Sequence, residues 1–143
     1  MRTAAAMLEG THDMAAYRAR GGDQMTSVRT IYSCSIEQRL GGADGPHGDA
    51  SGDEDRASGR RCGDDGGFDV VVEGDGFLYK QVRIIAGTLV MVGMGLADPG
   101  LVSRAIANPE AAERGPVLPP EFLSLEHVEY EEDHPRTAQI APT

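Results

Sequence analysis

Arg83 lies among Val82, Ile84 and Ile85, one turn after Tyr79 and Lys80, inside the chain's longest apolar run, GFLYKQVRIIAGTLVMVGMG at residues 76–95. A guanidinium in such surroundings is not freely solvated and needs a partner. Its planar fork of donors suits a carboxylate or a phosphate, gripped through two parallel hydrogen bonds. Three roles are open to it on composition: holding an anion at a functional site, a structural ion pair with an acid of this chain, or snorkelling at a helix edge.

Other chemistry-bearing residues give weaker signals. His12 and Asp13 are adjacent, as an acid–base pair could be, but neighbouring side chains seldom point together and Asp13 suits a helix cap. Asp49, Asp53, Glu54 and Asp55 cluster near His47 without the spacing of a calcium loop, and read as a solvated insert. No GxxxxGK[ST] phosphate loop occurs. Cys34 falls in an alternating apolar segment, as a small core residue would, and Cys62 reads as an exposed thiol. The two could form a disulfide, yet nothing else suggests secretion, so reduced thiols and an intracellular location are expected.

The elements that must position Arg83 follow from periodicity. The apolar run could span a bilayer, but two cations and a glutamine near one end make a core helix over about residues 77–92 the better reading. Gly87, Gly93 and Gly95 weaken a helix in water, so something must pack closely on them. Upstream, residues 3–9 read as a helix stopped by Gly10, and Met14–Arg18 as a short helical turn. Val28, Thr30, Tyr32, Cys34 and Ile36 alternate with more polar neighbours, indicating a half-buried strand at 28–39. Phe68–Glu73 reads as its hairpin partner across a long, disordered Gly- and acid-rich insert at 41–66. Asp98 and Pro99 announce a helix over 99–107, and the alternation from Phe122 to Tyr130 predicts a closing strand. The fold class is α+β, an antiparallel or mixed sheet with helices packed on one face, in one domain over residues 1–131 followed by an acidic tail at 132–143.

The net charge of −10 argues weakly against a nucleic-acid partner. Residues 41–66 carry seven acids against three arginines, and residues 126–143 five against one. Each segment contributes −4, leaving only −2 for the remainder.

Four ordered blocks resemble tRNA pseudouridine synthase A family proteins. Gly76-Phe77-Leu78-Tyr79, Gln81-Val82-Arg83, Ile85, Gly87-Thr88-Leu89 and Val92-Gly93-Met94-Gly95 are similar to the family's signature helix. Leu8-Glu9-Gly10-Thr11-His12-Asp13, closed by Tyr17-Arg18, resembles its L-x-G-x-H-D-F-x-x-F-R segment. Val28-Arg29-Thr30-Ile31 is like the strand that follows. Gly115-Pro116, Pro119-Pro120 and Leu123–Tyr130 resemble the C-terminal end. Met14 and Tyr17 stand where Phe is usual, Ile84 where Asn is common, and Phe122 where Gly is frequent. The family's Arg-Thr-Asp motif is absent from this sequence, so the chain resembles the C-terminal half of the catalytic domain.

The resemblance implies isomerisation of uridine to pseudouridine in the anticodon arm of tRNA, with the target base taken out of its stack. It implies that Arg83 pairs with a catalytic Asp not present in this chain, and that Tyr79, Lys80 and Arg18 contact the RNA. No metal or organic cofactor and no membrane are implied. The expected partners are tRNA and either a second subunit, giving a homodimer with a cleft between subunits, or the missing N-terminal half. A non-catalytic RNA-binding or assembly remnant is the alternative.

Overall fold

A computed structural model describes residues 1–39 and 67–130. The expected acidic insert and the tail at 132–143 lie outside the described residues. The chain is α+β: helix α1 (Arg2–Ala6), strands β1 (Gly10–Asp13), β2 (Val28–Gln38) and β3 (Phe68–Gly74), then helices α2 (Gln81–Gly93) and α3 (Gly100–Ala107). Short 3-10 turns occupy Ala15–Tyr17 and Pro120–Phe122. The sheet is antiparallel throughout, in the order β1-β2-β3.

The lengthened hairpin is present. Arg39 N donates to Gly67 O at 2.8 Å where the insert begins and ends. Two residue pairs further in, Asp69 accepts the Arg39 guanidinium, from Nε at 2.7 Å and from Nη2 at 2.5 Å. This bidentate pair closes the ladder beside the long connection.

The inward face expected of β2 needs correction. Val28 and Tyr32, placed inward by strict alternation, are 48% and 59% exposed, whereas Ile31 and Cys34 are buried. A bulge is the reason. The pairing steps from Ile31↔Gly74 to Ser33↔Glu73, so one extra residue shifts the parity of β2 and turns Ile31, Cys34 and Ile36 to the same face. The cap residues ahead of the short helical turn belong to a strand, Gly10–Asp13. It pairs with β2 from Gly10↔Ile31 to Asp13↔Val28, and the hydroxyls of Thr11 and Thr30 meet at 2.9 Å.

The closing strand over 122–130 is not formed. After the Pro120–Phe122 turn, residues 123–130 carry no regular element and are exposed. Alternating apolar residues suit a pleated surface, but a strand exists only through its ladder, and neither β1 nor β3 pairs with this segment.

The helices cover one face of the sheet. Ala4, Ala5 and Leu8, then Met14 and Tyr17, pack with Ile31 and Cys34 against Leu78, Ile84, Ile85, Leu89 and Val92, and α3 adds Val102 and Ala105. Helix α2 is the centre of this core. Its 13 residues rise only about 20 Å, too short for the ~30 Å hydrocarbon layer of a bilayer. Among the described residues no helix is long and apolar enough to cross a membrane. Its end is set by Gly95, at φ 73°, with Leu96 N returning to Met91 O at 2.9 Å. This left-handed C-terminal stop explains one of the three glycines. Helix α3 starts as expected, with Asp98 Oδ1 accepting Gly100 N at 3.1 Å and Oδ2 accepting Arg104 Nη1 at 3.0 Å.

Candidate functional site

Three segments converge at the N-terminal end of α2. The loop leading into α2 is held internally: Gln81, 1% exposed, accepts Leu78 N on Oε1 at 2.7 Å. Lys80 takes the left-handed conformation at φ 59°, strained for a residue with a Cβ. That turn sets its ammonium 4.9 Å from the centroid of the exposed Tyr79 ring, a cation–π contact.

The second segment is the turn and loop at 15–24. Asp13 Oδ1 accepts Ala15 N at 3.0 Å and Ser27 Oγ at 2.6 Å, so Asp13 is a capping residue. His12 instead bonds Glu9 O through Nε2 at 2.8 Å, and the two do not form an acid–base pair. Ala19 N donates to Tyr79 O at 3.1 Å, which sets this loop against the start of α2. Arg18 directs Nη1 to Gln24 O at 3.4 Å. Arg18, Tyr79 and Lys80 therefore lie on two adjoining backbones at one end of the helix.

The third segment, residues 114–118, contains the Gly115-Pro116 pair. It is an extended strap laid along α2. Gly115 N donates to Thr88 Oγ1 at 2.9 Å. A Cβ on Gly87 would overlap the Pro116 carbonyl oxygen, and one on Gly115 would overlap Thr88 N and Gly87 C. The close packing expected on Gly87 is real, but the partner is bare backbone. Arg114, at the head of the strap, donates Nη1 to Ala16 O at 2.8 Å and Arg18 O at 2.9 Å, tying it to the 15–24 loop. The signal for this arrangement was the adjacency of Arg114, Gly115 and Pro116. Only the structure shows what they touch.

Arg83 lies where α2 meets the end of the strap. It is half-buried, and its Nε donates to Leu118 O at 2.6 Å, while Leu118 N returns to Arg83 O at 3.3 Å. No acid of the described residues forms an ion pair with it. Of the three roles open at the start, the internal ion pair is therefore not seen among the described residues. A guanidinium has five N–H donors, so four remain on Nη1 and Nη2 after the bond to Leu118.

The remaining candidates are structural. Cys34 is 5% exposed, and burial, with the Glu9 charge second, pushes its thiol up to about 11. It is a core residue and not a nucleophile at neutral pH. Burial, and secondarily Cys34, likewise raises Tyr17 to about 12. Cys62 lies outside the described residues. Among the described residues no group of three His, Cys, Asp or Glu side chains could hold a metal. A shallow cleft beside the start of α2 is lined by Arg29, Asp75, Gly76 and Phe77.

The profile of the tRNA pseudouridine synthase family matches residues 4–131. A tRNA pseudouridine synthase A of Myxococcus xanthus is 37% identical over 135 residues, covering 94% of this chain and 42% of that protein. Those of Acetivibrio thermocellus and Geotalea uraniireducens are 34% and 33% identical, each covering 91% of this chain and 43% of theirs. The chain thus spans about two fifths of the length of the curated relatives it matches.

Proposed function

This chain belongs to the tRNA pseudouridine synthase family, and on that premise we propose that it is the part of such an enzyme that supplies Arg83 to pair with a catalytic Asp carried outside this sequence. The reaction breaks the C1′–N1 glycosidic bond of a tRNA uridine, turns the base, and forms a C1′–C5 bond. The proton on C5 is lost and N1 gains one, so the change is an isomerisation. The Asp attacks or stabilises the detached sugar. Arg83 orients its carboxylate through a charge-assisted pair that favours the ionised form. Lys80, Tyr79 and Arg18 contact RNA from the adjoining end of α2, and the apolar flank of α2 keeps the pair dry. The substrate is the anticodon arm of tRNA, and the site is completed by a second subunit or by an Asp-bearing N-terminal half.

One observation carries this reading. Arg83 is half-buried and tethered by a carbonyl, with no carboxylate paired to it among the described residues. A charged group in that setting has unused donors and calls for an anion from elsewhere. The test is Arg83→Ala in the protein assembled with its Asp-bearing segment. Turnover, followed by release of tritium from C5-labelled uridine in tRNA, should fall by about 10²-fold or more, with tRNA binding unchanged within a few-fold. Near-normal turnover would assign Arg83 to structure. No isomerisation beside any Asp-bearing partner would favour the reading as an RNA-binding or assembly remnant.

A further inference from the structure

We infer that the strap of residues 115–118 is a positioning device for Arg83. It would fix the guanidinium so that its end edge, Nη1 with Nη2, is presented to the incoming carboxylate. The inference rests on the reading of Arg83 as the partner of a catalytic Asp.

The strap is attached to α2 at three levels. At Thr88 the hydroxyl donates to Ile84 O at 2.8 Å and accepts Gly115 N at 2.9 Å. Thr88 is 1% exposed, so this hydroxyl has no competing water. At Gly87 the Pro116 carbonyl comes so near the helix that no Cβ fits. At Arg83 the Leu118 carbonyl takes the Nε–H at 2.6 Å and the Leu118 N–H bonds Arg83 O at 3.3 Å.

These levels act in sequence. The first two set the height of the strap above the helix, and that height decides whether Leu118 O reaches Nε. A guanidinium can take a carboxylate side-on, through Nε and one Nη, or end-on, through both Nη atoms. With Nε engaged by Leu118 only the end-on mode remains, and the side chain loses its freedom to swing before the Asp arrives. Preorganisation of this kind lowers the reorganisation needed at the moment of reaction. Gly87, Thr88 and Leu118 are positioning residues here; none of them is required to touch substrate.

The test reads the tether and the turnover separately in the assembled protein. Solvent exchange of the Arg83 Nε–H, measured in 15N-edited spectra, should be at least tenfold slower than that of the exposed Arg20. Thr88→Val, and Gly87→Ala where it folds, should speed that exchange at least tenfold and lower kcat at least tenfold, with KM for tRNA within about threefold. Thr88→Ser should restore both. Unchanged exchange, or unchanged kcat, in a folded Thr88→Val protein overturns the inference. Normal turnover by Arg83→Ala would instead remove the catalytic reading of Arg83 and the positioning role with it. Slow Nε–H exchange in the parent would then stand as a purely structural bond, so the two failures are told apart.

Discussion

Replacing Thr88 by Val tests the packing of the strap through stability alone. Valine keeps the shape of threonine but removes the hydroxyl that links α2 to Gly115. Ile84 O loses little, because the helix still offers it a backbone donor. Gly115 N, on a buried residue, bonds no other acceptor among the described residues and is stranded. An orphaned buried N–H costs about 1–3 kcal/mol. Exchanging a buried hydroxyl for a methyl offsets about 1 kcal/mol of that. The net loss centres on about 1 kcal/mol and reaches about 2 kcal/mol, which for the roughly 100 residues of the folded part lowers Tm by about 5–10 °C. Urea and thermal unfolding followed by far-UV circular dichroism would measure it, with Thr88→Ser as the control that keeps the bond. A Thr88→Val protein within about 0.3 kcal/mol of the parent would refute the reasoning, because the strap would then have been free to shift and resolvate its amide.

Two further expectations concern pH. Burial raises Tyr17 to about 12, above its ordinary value near 10, so its contribution is complete below about pH 10 and is lost as pH rises towards 12. Tyr17→Phe should remove that share of the alkaline loss, seen as a flatter urea midpoint between pH 10 and 12; an unchanged slope would contradict the assignment. At neutral pH the same variant should stay within about 1 kcal/mol of the parent, since the Tyr17 hydroxyl is buried without a hydrogen-bond partner among the described residues. Asp98 is held below the usual carboxylate range, chiefly by its bond from Arg104 and then by Gly100 N. Its capping of α3 is therefore present above its ordinary pKa of about 4 and lost as pH falls through the lower folded value. Asp98→Ala should speed amide exchange in the first turn of α3 at pH 6, with no difference from the parent once the carboxyl is protonated.

Local patterns carried much of this protein in the sequence alone. The apolar run at residues 76–95, the cap at Asp98 and the apolar segments on either side of the insert announced α2, α3 and the β2–β3 hairpin, because each depends on neighbours a few residues away. Arg83 was conspicuous for the same reason: a charge in an apolar run is visible without a fold. Contacts between distant segments were not legible. The bulge at Ile31–Ser33 reverses which half of β2 faces the core, and nothing local announces an extra residue in a ladder. The alternation of residues 122–130 suggested a strand, yet a strand needs an edge to pair with, and β1 and β3 do not supply it. Gly87 advertised a close approach without naming what approaches. Only the tertiary structure sets the Pro116 carbonyl on it and brings Leu118 to the Nε of Arg83. That bond joins residues 35 apart in sequence, and its geometry follows from how the strap packs on α2.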